Sequence, residues 1–124
     1  MMEKYLQGKW LVGGREWPNV DCYGLVLEVR RDMGLPAWPE WGHARRDDGS
    51  MHEVGTAFAR ELEPCEPEPG AIVACYTGSM MTHVAVVVDD NGILSGLEVN
   101  ERTGVTCRPL RRLHRRFVKV EYYR

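Results

Sequence analysis

From residue 71 onward the chain reads as a succession of short β-branched runs at hairpin spacing, and this limits the fold more than any other feature of its 124 residues. The runs are AIVACY, THVAVVVDD, GILSGLE, GVTCRPL and RFVKVEYY, separated by turn chemistry such as Asp90-Asn91-Gly92. A parallel pair would need a crossover of about a dozen residues or more, so connections this short predict an antiparallel meander. The last run alternates, with Val118, Val120 and Tyr122 on one face.

Upstream the periodicity changes. Asp21 can cap a helix in which Cys22, Leu25, Val26, Val29 and Met33 share one face, and Gly34 stops it. Glu28, Arg30, Arg31 and Asp32 fall on the opposite, polar face. Residues 35–49 carry prolines, glycines, Trp38 and Trp41 without period, which predicts a long loop. Ser50 and Glu53 form an S-x-x-E capping box ahead of Val54, Ala57, Phe58 and Leu62, a second helix that Pro64 ends. The first fifteen residues suggest an arm or short strand that packs Trp10 and Leu11. Helices first and strands second predict one α+β domain over residues 1–124.

A net charge of −2 provides no global field for phosphate backbones, so nucleic acid is not an expected partner. The basic run Arg108 to Arg116 is read as a solvated face or a local patch for an anionic or protein surface. No apolar window reaches the ~20 residues of a membrane span, and none at the N-terminus has signal-peptide character. This predicts a product made in the cytoplasm. Cys22, Cys65, Cys75 and Cys107 show no zinc-site spacing, and His43, His52 and His114 read as surface residues, so neither metal nor cofactor is expected. The last three cysteines read as packing residues.

A cysteine in the first turn of a helix sits where unsatisfied N–H groups and the helix dipole favour its thiolate. His83, at the start of an apolar strand, is a candidate base for it. Asn19 to Val26 (NVDCYGLV) resembles the G-x-D-C-x-G-L-V nucleophile helix of NlpC-type, papain-like peptidoglycan peptidases. Pro69 to Val73 (PGAIV) followed by Thr82 to Val88 (THVAVVV) resembles that family's P-G-D-[LI]-V and H-V-[GA]-[IV] strands, with Ala71 replacing the usual aspartate. The arm Tyr5 to Trp10, the aromatic Tyr23 and the text Met33-Gly34-Leu35-Pro36 are most similar to its small phage tail-assembly members.

The resemblance implies a papain-like fold in which Cys22 attacks an amide of a peptidoglycan stem peptide and His83 relays the proton. The virion tail would be its location, other tail-tip proteins its neighbours, and the periplasm or cell wall its place of action. It further implies a third polar residue about twelve positions after the histidine, which is Ser95; with a shifted loop, Glu98 or Asn100 would take that role. Asp21 and Tyr23 become candidate substrate contacts, with a plain helix cap the alternative for Asp21. The competing expectation is a tail component that keeps the fold without using the chemistry.

Overall fold

The computed structural model describes residues 2–41 and 48–124. The architecture is α+β. A five-stranded antiparallel sheet, β4 (Ile72–Thr77), β5 (Met80–Asp90), β6 (Ile93–Asn100), β7 (Gly104–Pro109) and β8 (Lys119–Tyr123), runs in the order β7-β6-β5-β4-β8. The meander therefore covers β4 to β7, and the final strand returns to pair with β4 at the opposite edge. Asn91 and Gly92, both at positive φ, make the β5–β6 turn that the Asp-Asn-Gly text predicts.

Helix α2 (Cys22–Asp32) begins at the Asp21 cap and ends before Gly34, whose φ of 72° suits glycine. Its apolar face, Leu25, Val26 and Val29, packs with Val84, Val86, Val88, Leu97 and Val99 on one side of the sheet. The polar face is only partly solvated. Glu28 and Arg30 are buried, because α1 (Met2–Tyr5) brings Lys4 to Glu28, and the Gly70 carbonyl accepts a hydrogen bond from Arg30.

Helix α3 (Ser50–Ala59) starts one residue earlier than the capping box predicts. Gly49 is the cap residue, and the Asp48 side chain takes both the Ser50 amide and the Ser50 hydroxyl. The helix ends well short of Pro64, which bridges to Tyr123 instead. In the N-terminal arm, β1 (Lys9–Trp10), β2 (Arg15–Glu16) and β3 (Asn19–Val20) form a small separate sheet. Leu11 is 52% exposed, so the arm packs through Tyr5, Trp10 and Trp17 rather than through Leu11.

The basic run is not a flat solvated strip. It contains a helix, α4 (Arg111–Arg116), which lays Leu113 on Ala71, Val73, Cys75, Ala85 and Val87 across the other side of the sheet. Gly96 permits this approach, since a Cβ there would lie 2.7 Å from Leu113 Cδ1. Val118 falls outside β8 and is 75% exposed, while Val120 and Tyr122 pack against the Leu113 cluster. The surface position predicted for His43 lies outside the described residues. Among the described residues, no helix is long and apolar enough to cross a membrane.

Candidate active site

Cys22 is the first residue of α2. The Asp21 carboxylate accepts from the Gly24 amide at 2.8 Å, which fixes the turn and leaves the preceding amides of Cys22 and Tyr23 without an intrahelical partner. Gly24 is required by space: a Cβ there would collide with the Gly14 carbonyl of the arm. That close approach brings Arg15 onto Asp21 in a salt bridge, and the Gly13 amide donates to the second carboxylate oxygen. Both oxygens of Asp21 are thus engaged within the protein. The arrangement makes Asp21 the helix cap and the anchor of Arg15.

Tyr23 is similarly occupied. Its hydroxyl donates to the Pro39 carbonyl at 2.6 Å and its ring meets Phe58 edge-on, so it ties the loop after α2 to the helix. Burial holds its phenol well above the ordinary range.

His83 lies on β5 and is 2% exposed. Its Nε2 is 2.8 Å from Glu98 Oε1, and its ring stacks on Phe117 with centroids 5.7 Å apart and planes 12° from parallel. Burial disfavours the imidazolium, yet hydrogen bonding and charge from Cys22 and Glu98 outweigh it and push the pKa up to about 9. With Nε2 on Glu98, Nδ1 is the nitrogen left for the thiol.

Glu98 is held in turn. Arg116 donates Nη2 to Oε1 at 2.5 Å and Nη1 to Oε2 at 3.1 Å, and the Asn100 amide donates to Oε1 at 3.2 Å. Burial would raise the carboxyl pKa, but His83 and Arg116 bring it down to about 2. The acid therefore stays ionised beside a ring that gains its proton.

Ser95 does not occupy the third position. It pairs with Val88 on β5, five residues beyond His83 or roughly 16 Å along the strand, and its hydroxyl donates to the Ile93 carbonyl. Strand alternation is the reason. Ser95 shares the α2 side of the sheet with Leu97 and Val99, whereas Glu98 shares the α4 side with Gly96, the glycine under Leu113. Of the two alternatives on the shifted loop, Glu98 contacts the ring, and Asn100 contacts Glu98.

Arg116 and Phe117 are the site residues that sequence reasoning missed. Arg116 lay among several arginines of one basic segment that gave it no distinction, and the apolar Leu110 and Leu113 inside that segment were the hint of a packed helix. His52 was also misread, because its Nδ1 accepts the Met81 amide and ties α3 to β5. His114 is exposed, with Nε2 2.8 Å from the Tyr122 hydroxyl. None of the four thiols is bonded to another. Cys75 pairs with His83 across β4 and β5, but burial pushes its thiol far up, so it is no rival nucleophile.

A narrow, largely apolar groove reaches Cys22 between α3 and the sheet, lined by Trp41, Met51, Phe58, Ile72 and Met81, with Arg15 and Asp21 also on its wall. Trp38 packs outside it, edge-on to Phe58 and under Arg30. Chemically, the arrangement offers a thiol at a helix N-terminus, a base with raised proton affinity, an ionised orienting acid and helix amides able to receive an oxyanion. Among the described residues, no group of three or more His, Cys, Asp or Glu side chains could hold a metal ion. No family model matches the chain, and no curated protein matches it significantly.

Proposed function

We propose that this chain is an NlpC-type, papain-like cysteine peptidase that cleaves an amide bond of peptidoglycan stem peptides and is carried to the cell wall by a phage or prophage tail. The observation that carries the hydrolase reading is Cys22 at the first position of α2 beside an imidazole held by Glu98 and Arg116. The wall substrate and the tail rest on the sequence resemblance.

Cys22 Sγ attacks the amide carbonyl while His83 holds the thiol proton. The tetrahedral oxyanion sits against the first amides of α2, and His83 passes its proton to the departing amine. Water, deprotonated by the same ring, then releases the acid and restores the thiol. Glu98 keeps the ring oriented and balances its charge throughout.

The first test is alkylation of Cys22 by iodoacetamide near pH 6, read by mass spectrometry in wild type, His83→Ala and Glu98→Gln. Fast modification that is lost in His83→Ala and reduced in Glu98→Gln supports the pair, and cleavage of a stem peptide by wild type alone then identifies the substrate. An identical slow profile in all three proteins sinks the hydrolase reading.

A second reading, a tail component whose site goes unused, is favoured by closure of the site, since Cys22 is only 8% exposed and His83 2%. Particles assembled with Cys22→Ala separate the two. The peptidase reading expects intact tails with impaired entry, and the structural reading expects intact tails with normal entry.

A further inference from the structure

We propose that the concave surface between β7 and α4 binds the phosphate groups of a base-free, phosphodiester-linked polyol chain. Arg108, Arg112, Arg115 and Arg116, with Thr103, Thr106 and Asn100, line an open depression of about 410 Å³. Two elements build it. Along β7, Val105 is buried in the core, so Thr106 and Arg108 stand on the α4 side, opposite Glu98 and Gly96 of β6. On α4, Arg112, Arg115 and Arg116 fall at helical spacings of three and four and share one face.

Charge bookkeeping separates these arginines. Arg116 is committed to Glu98, but among the described residues no carboxylate pairs with Arg108, Arg112 or Arg115. Three uncompensated guanidinium groups around one hollow repel each other, in a chain whose net charge is −2. An oxyanion relieves that repulsion, and forked N–H donors with the Thr106 hydroxyl beside them match phosphate oxygens. Linked phosphates can meet the three cations at once, and each further contact on the same chain is gained without a new loss of translational freedom.

The lining favours a polymer without bases. Proteins that hold single-stranded nucleic acid combine basic grooves with aromatic platforms, and no aromatic side chain lines this depression. Phe117, next to Arg116 in the chain, is stacked on His83. The inference rests on the arginines alone and stands whether or not Cys22 is a nucleophile.

The test is a titration of the full chain with fluorescent poly(glycerol phosphate) oligomers at low salt, beside an oligothymidylate with the same number of phosphates and inorganic phosphate. The oligomer is expected to bind saturably and to weaken as salt rises. The double variant Arg112→Glu, Arg115→Glu should bind about tenfold or more weakly, and Arg108→Ala should lose a smaller factor. These exposed substitutions should leave the thermal midpoint unchanged, so lost binding reads as lost contacts. Failure of the oligomer to saturate, equal binding by the double variant, or tighter binding of the oligothymidylate would each overturn the proposal. Inorganic phosphate binding as tightly as the oligomer would do so as well.

Discussion

The two sides of the sheet hold their share of the site by different physics. On one side α2 presents Cys22 from an eleven-residue helix whose stability comes from burying Leu25, Val26 and Val29. On the other, the six-residue α4 buries little beyond Leu113, and it reaches the site through the charge network Arg116, Glu98 and His83. The thiol is placed by shape and the imidazole by charge. The first arrangement is largely indifferent to pH, and the second is not.

The sharpest test of that contrast is Cys22→Ala. Cys22 is buried, but alanine keeps its Cβ and removes a single sulfur atom at the end of the α2 core, so turnover of a stem peptide should fall at least ~10³-fold while the thermal midpoint stays within about 2 °C. A comparable loss of folding would mean that the nucleophile side depends on the thiol for packing, and the comparison would break. Glu98→Gln attacks the charge side instead. Removing the orienting carboxylate should lower kcat by roughly 10²-fold with KM little changed, and it should shift the pH profile because the ring loses its counter-charge.

The pH dependence of stability follows from the same network. The His83 pKa rises from 6.5 to about 9, so its contribution is fully present below 6.5 and is lost as pH climbs through about 9. The Glu98 pKa falls from 4.5 to about 2, so its contribution is present above 4.5 and is lost as pH drops through about 2. Together they predict greatest support between about pH 4.5 and 6.5. Denaturant titrations across pH should show that maximum in wild type and a flatter curve in Glu98→Gln.

Leu113→Ala sharpens the comparison from the apolar side. It empties the one buried contact of α4 and should cost about 2–5 kcal/mol in urea unfolding. A cost below about 1 kcal/mol would mean that the charge network alone retains α4. The smallest effect belongs to Asp21→Ala, which removes the α2 cap and should lower stability by about 1 kcal/mol, with some further loss where Arg15 is left unpaired.

The same contrast explains what could be read from sequence. Hydrophobic periodicity located α2 and the meander, because burial of Leu25 or Val86 leaves a repeating mark in the text. The Asp21 cap and the Asn91-Gly92 turn were legible for a related reason, since each is a local conformation with its own residue chemistry. The pairing of Cys22 and His83, 61 positions apart in the numbering, was one candidate among the residues and drew most of its weight from the resemblance. The third member was misplaced because a fixed count of twelve ignores which side of β6 a residue occupies, and a single step turns a side chain to the other side. Arg116, Lys4 and Arg30 were unreadable because a charged residue looks the same in sequence whether it meets water or a buried partner.

The route of the chain across the sheet also sets an order of assembly. Cys22, His83 and Glu98 all emerge before β7 is complete, but Arg116 and Phe117 arrive only with the segment that crosses from one edge to the other and lays β8 on β4. Until then the orienting acid lacks its clamp and the imidazole lacks its stacking partner. A nascent chain arrested after Pro109 should therefore alkylate at Cys22 as slowly as the His83→Ala protein, and full reactivity should arise only once the last strand is in place. Order at the imidazole therefore depends on the segment that carries α4 and β8, and a chain without it lacks both contacts.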